Sequence, residues 1–135
     1  MRRLRQETGQ VLVEFALTLT IVLTLLLFVA DGGQILWRYV SVSEAARVGA
    51  RYAVTHGAGS TAPIGPNGYA ALTSQIHDRV IGLAGATVTA VWNPSNARGS
   101  AVTVTVTYQT RALTGLFFRN QLITLTGRST MIVQN

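Results

Sequence analysis

Hydrophobic residues recur along the chain in three rhythms, and each predicts a different element. From Val11 to Ala30 they are nearly unbroken, with Glu14 the one ionisable residue among them. At about 1.5 Å of rise per residue, a helix over that run spans roughly 30 Å, the thickness of a bilayer core. Beyond it the spacing turns helical. Ile35, Tyr39, Val42, Ala46, Gly49 and Ala53 recur at alternating steps of four and three and share one face. The stripe shrinks from Ile and Tyr to Ala and Gly, so another surface can approach the helix backbone closely. Glu44, Arg47 and Arg51 lie together on a different, solvated face, the first two spaced to pair at i,i+3. The helix is predicted to end near His56-Gly57, before a Gly- and Pro-rich loop over 57–68. A second, shorter helix follows, with Asn67 as N-cap, Tyr69, Leu72, Ile76, Val80 and Leu83 as its face and Gly85 as its stop.

From Thr87 the period is two. Thr87 to Trp92 predicts a first strand, closed by Asn93-Pro94. Val102, Val104, Val106 and Tyr108 alternate with Thr103, Thr105, Thr107 and Gln109, the pattern of a half-buried strand with one apolar face. A third strand is predicted from about Leu122 to Val133, with Ile123, Leu125, Met131 and Val133 on one face. The resulting fold class is α+β: a long N-terminal helix, its inner half transmembrane, packed on a small three-stranded antiparallel sheet with one short extra helix. Two places interrupt this scheme. Gly32-Gly33, just past Asp31, costs roughly 1 kcal/mol per glycine against Ala in a helix interior, and predicts a hinge or a locally melted turn. Leu116-Phe117-Phe118, in the link before the last strand, is an apolar triplet. It is either tucked into its own core or exposed as a contact for a neighbouring subunit or the lipid surface.

Composition agrees with a membrane segment beside one small domain. Hydrophobic residues make up 48% of the 135 and charged residues 12%, too apolar a balance for an ordinary soluble domain. The formal net charge is +6 and all the basic residues are Arg. Three of them, Arg2, Arg3 and Arg5, form a tip ahead of the apolar run, and the rest are scattered without a dense cluster, which argues against a nucleic-acid partner. With no basic residue after the run until Arg38, the positive-inside rule puts the N-terminus in the cytoplasm and the residues after about Asp31 outside, on a single-pass inner-membrane anchor. A cleaved secretory signal fits less well: the run is too long, it contains Glu14, and a cut after Ala30 would leave bulky Phe28 at the third position before it. The expected organisation is therefore a basic leader over 1–9, a transmembrane helix half over 10–31 and an extracytoplasmic α+β domain over 32–135.

No catalytic constellation is visible. The acidic residues are Glu7, Glu14, Asp31, Glu44 and Asp78. His56 and His77 have no cysteine and few carboxylates near them, so neither metal nor cofactor is expected. No G-x-S-x-G and no phosphate-binding loop occurs. The chain reads as a structural or interaction protein and not an enzyme.

Gly9 followed by Gln10-Val11-Leu12-Val13-Glu14, with Phe15 next, resembles the class III signal sequences of type IV pilins and pseudopilins. The likeness sharpens to the TadE-like proteins of the Tad (Flp) pilus assembly system. G-Q-V-L-V-E-F-A-L, a leucine-rich run into Asp31, and A-A-R-V-G-A-R-Y-A from Ala45 to Ala53 resemble that family's N-terminal signature, and R-S-T-M-I-V from Arg128 to Val133 is similar to its last strand. Gly32 and Gln34 depart from it, where members commonly carry an aromatic residue and a Gly-Arg pair. The resemblance implies a pilin-like fold and a minor pilin or pseudopilin role. It also implies cleavage between Gly9 and Gln10 by a prepilin peptidase, and a subunit-assembly charge at Glu14. Its implied partners are that peptidase, other pseudopilins, the Flp pilin, the inner-membrane assembly platform and membrane lipid, with final placement at the inner membrane or in a pilus at the cell surface and a part in cell adhesion. Physically, Glu14 either neutralises the freed amine of Gln10 on an adjoining subunit or snorkels to the headgroups. The rival reading from a different class is an uncleaved, single-pass anchored domain that binds an extracytoplasmic ligand.

Overall fold

A computed structural model describes residues 2–65, 69–115 and 121–134, with the backbone alone for residues 2–8 and Tyr69. The long helix α1 runs from Arg2 to Thr55, the short helix α2 from Tyr69 to Arg79, and strands β1, β2 and β3 cover Thr87–Asn93, Ala101–Thr110 and Ile123–Ile132. The strands form one antiparallel sheet in the order β1-β2-β3. Thr87 pairs with Thr107 at one end of the β1–β2 ladder, and Thr110 with Ile123 at one end of the β2–β3 ladder. This is the α+β arrangement the alternating patterns predict. Asn67 and the Leu116-Phe117-Phe118 triplet lie outside the described residues.

The period-two segments bury the residues their pattern selects. Val88, Ala90 and Trp92 from β1, Val102, Val104 and Val106 from β2, and Leu125 and Val133 from or beside β3 are all buried, while the interleaved threonines face out. Onto this apolar face the outer half of α1 lays Val42, Ala45, Ala46, Gly49, Ala50 and Ala53, and α2 adds Leu72 and Ile76. The small residues serve the purpose inferred from their size. A Cβ at Gly49 would lie 3.0 Å from both Ile76 Cδ1 and Val104 Cγ1, so the side chains of α2 and β2 close over the bare backbone there. Gly127 of β3 is tighter still: a Cβ there would lie 2.6 Å from the Val42 carbonyl oxygen.

Three details differ from the sequence reading. Tyr39 is 50% exposed and leaves the buried stripe; the stripe runs instead through Asp31, Ile35, Val42 and the paired Ala45-Ala46 and Gly49-Ala50 positions, a face slightly rotated from the one drawn through Tyr39. Small residues let the sheet approach the helix more closely than the Tyr39 ring would. The second helix stops at Arg79, ahead of Gly85, because Gly82 already takes a positive φ of 90° beside Trp37. Finally, α1 passes through Gly32 and Gly33 without a break, so the melted turn expected there is not formed. Contacts on both sides account for this. The membrane run upstream satisfies its own backbone, and downstream the helix is held against the sheet.

The inner half of α1 has no covering protein. Every residue from Gly9 to Ala30 is exposed, including Leu12, Phe15, Ile21 and Leu25. The segment is long and apolar enough to cross a membrane, with a mean hydropathy of 2.5 in its most apolar window. Two of its polar interruptions are satisfied within the helix: Thr20 Oγ1 donates to the Ala16 carbonyl at 2.8 Å and Thr24 Oγ1 to that of Thr20 at 2.7 Å. A hydroxyl satisfied in this way can face hydrocarbon without an unpaired donor.

Candidate functional site

Gly9, Gln10, Val13, Glu14 and Leu17 line one shallow concavity on α1, which follows from their helical spacing and the missing side chain of Gly9. The Gly9–Gln10 peptide is helical, and nothing lies within 4 Å of the position a Gly9 Cβ would take. Gln10 and Glu14 are one turn apart on the same face, so their Cβ atoms are about 5–6 Å from each other. Glu14 is exposed and makes no ion pair or hydrogen bond among the described residues. Phe15 is also exposed, on a neighbouring face. The fold therefore leaves the Gly9–Glu14 segment outside the packed domain, with a carboxylate free for a partner that the chain itself does not supply among those residues.

A carboxylate that sequence reasoning used only to mark the end of the apolar run proves to be the best-anchored acid of the chain. Asp31 is fully buried. Its Oδ1 accepts from the Thr114 backbone N–H at 3.1 Å and its Oδ2 from the Thr114 hydroxyl at 2.5 Å. The tie joins the first turn beyond the membrane run to the segment after β2, 83 positions later. No local pattern could have paired them. The signal available was an acid ending an apolar run, a place where a charge is either wet or tied.

The tie and the strand register set the orientation of the domain on its anchor. β3 begins at Ile123, opposite Thr110 and close to the Asp31–Thr114 end, and finishes where the Gln134 N–H donates to the Val54 carbonyl at 3.3 Å. From Asp31 to Val54 the helix rises about 35 Å, and the β3 segment to Val133 extends about 33 Å, so helix and strand are matched along their lengths. The end of the domain bearing Asp31 and Thr114 faces the apolar half of α1, and the end bearing Thr55 and Ser100 faces away.

Along the outer part of α1, Val48, Arg51, Tyr52, Thr55, His56, Gln75 and Arg79 line a cleft of about 350 Å³ between α1 and α2. His56 stacks on Tyr52 with ring centroids 4.0 Å apart, and its Nδ1 donates to the Tyr52 carbonyl at 2.9 Å. Arg51 and Arg79 have no acidic partner among the described residues, where the Arg47–Glu44 contact at 3.7 Å is the one ion pair. That pair is exposed on both sides and contributes little. Among the described residues no group of three or more His, Cys, Asp or Glu side chains could hold a metal ion.

The family described as TadE-like protein matches residues 9–51, in agreement with the resemblance read from Gly9 to Ala53. That stretch holds the cleavage-like glycine, the membrane run, Asp31 and most of the small-residue stripe. No curated protein and no solved structure matches the chain.

Proposed function

With residues 9–51 being TadE-like, we propose that this chain is a minor pilin or pseudopilin that supports assembly of a Tad-type pilus. The reading gives residues 1–9 the part of a basic leader, residues 10–31 that of the transmembrane half of α1 and residues 32–135 that of an extracytoplasmic domain. The N-terminus is cytoplasmic, in keeping with Arg2, Arg3 and Arg5 ahead of the run. Cleavage between Gly9 and Gln10 frees an α-amine at the mouth of the membrane run. Its partners are a prepilin peptidase, related pseudopilins, the Flp pilin and the membrane platform on which they assemble. The role is structural, with no reaction catalysed.

The observation that carries this reading is the unpartnered Glu14 on an uncovered apolar helix, within a segment matched by the family. A carboxylate at membrane depth is expensive alone. Paired with the Gln10 amine of an adjoining subunit it is buried with its countercharge, and the pair fixes the axial register of two parallel helices. Removing the charge leaves insertion intact, because the segment becomes more apolar. Glu14→Ala therefore yields normal amounts of membrane-inserted protein and impaired piliation in cells that assemble this pilus. Unchanged piliation would refute the pairing. The leader is tested separately by the mass of the mature chain, which begins at Gln10 if the peptidase has acted and at Met1 if it has not.

A further inference from the structure

We infer that the membrane-proximal rim of the folded domain, where Leu113, Leu122, Trp37 and Ile81 are exposed, rests in the headgroup layer of the lipid surface through which α1 passes. The inference needs only that the apolar half of α1 lies in a bilayer, and stands apart from cleavage or pilus assembly.

Three segments remote in sequence supply exposed apolar side chains to this part of the domain. Leu113 precedes Thr114, which is tied to Asp31, and is 69% exposed. Leu122 precedes Ile123, which pairs with Thr110 at the same end of the sheet, and is 56% exposed. Ile81 lies in the turn after α2, is 85% exposed, and precedes Gly82, whose absent Cβ would meet the Trp37 ring at 3.2 Å. A small domain with these side chains in water would leave much apolar surface uncovered at one end, which in soluble proteins marks an interaction surface.

Height decides which surface covers it. A span from Val11 to Ala30 fills about 30 Å of hydrocarbon, which sets Asp31 at the core boundary. The tie to Thr114 holds Leu113 at that level. The Trp37 backbone, six residues further on, is about 9 Å higher, just past the outer edge of a headgroup layer roughly 5–8 Å deep on each side, and its side chain, tilted toward the helix N-terminus, reaches back into that layer. Tryptophan is enriched at that depth because its ring is amphipathic. Arg111 is exposed two positions before Leu113 and supplies a cation for lipid phosphates. The rim is thus continuous with the lipid-facing surface of α1, where Phe28 and Val29 are exposed immediately below Asp31. A second copy of the chain on the same side chains would have to displace lipid that the anchor has already brought there.

The test uses the full chain, reconstituted in vesicles of phosphatidylethanolamine and phosphatidylglycerol that carry lipid brominated near the glycerol end of the acyl chains. In a Trp37→Phe background, Trp92 reports the sheet end away from the membrane. With both native tryptophans replaced by Phe, single tryptophans are introduced as Leu113→Trp, Leu122→Trp or Ile81→Trp. Ile21→Trp controls for insertion of the helix. These three rim positions are exposed, so the added rings displace no core atoms, and circular dichroism checks the fold. The expected result is a blue shift and loss of emission at the three rim positions when brominated lipid replaces plain lipid, with Trp92 unaffected. Rim emission that stays as unquenched as Trp92, while Ile21→Trp is quenched, would overturn the inference and leave the anchor standing. Rim emission that responds to protein density in the bilayer, but not to bromine, would assign the rim to a second copy and overturn it equally.

Discussion

Replacing Gly127 with Ala tests how closely α1 lies on the sheet. The φ of Gly127 is not in the left-handed region, so an alanine there meets no backbone strain of its own. What it meets is backbone: the new methyl would lie 2.6 Å from Val42 O, 2.8 Å from Val42 C and 2.9 Å from Ser43 Cα. Ordinary contact begins at 3.4 Å, so helix and strand must part by about 0.8 Å, and no side-chain rotation can relieve this. A gap of that size forfeits a quarter to a half of each dispersion contact across it. The affected contacts are those of Val42, Ala45, Ala46 and Gly49 with the apolar face of β2 and β3, the centre of the core. A loss of about 2–3 kcal/mol follows, in the upper range for overpacking. For a domain of this size that lowers the melting temperature by roughly 10–20 °C. The assay is thermal unfolding of the full chain in detergent micelles, followed by the emission of Trp92, which is buried in β1. Gly33→Ala is the steric control: nothing lies within 4 Å of its Cβ position, so it should melt no lower than the parent protein. If Gly127→Ala melts with the parent protein, the helix does not sit at backbone contact on β3 and the account of the small-residue stripe is wrong.

Other perturbations follow from the same geometry. Asp31→Ala removes the acceptor of the half-buried Thr114 N–H and hydroxyl, at about 0.5–1.5 kcal/mol for each hydrogen bond lost, and should speed amide exchange at Thr114; Thr114→Ser keeps both donors and should leave that exchange slow. Gly32→Ala and Gly33→Ala together should stabilise the domain by up to about 1–2 kcal/mol, because the helix is continuous there and alanine is the better helix former. Loss of stability in that double variant, or fast exchange at Gly32 and Gly33 in the parent, would restore the hinge.

Legibility differed by element. The strands were readable because Thr and Val alternate through Thr87–Trp92 and Ala101–Thr110, and a period of two has one reading once one face must be buried. A helix long and apolar enough to cross a membrane was readable from length and composition. Tyr39 was misplaced because a three-four stripe fixes a face only to within a residue, and the sheet chose the side with paired alanines. The end of α2 was misplaced because Gly82 and Gly85 are equal candidates until Trp37 crowds the first. Asp31 was under-read because its partner lies 83 positions away.

The sequence by itself determined what each segment is: a lipid-length helix with a lone carboxylate, a tapering stripe and alternating strands, since each depends on local period and on the side chains' preference for water or oil. Tertiary structure alone decided where those segments stand relative to one another. It took a long-range tie at Asp31 and a backbone contact at Gly127 to set the height and distance of the sheet on its helix. Such contacts depend on loop closure and on surfaces meeting in three dimensions, and a one-dimensional pattern carries no record of either.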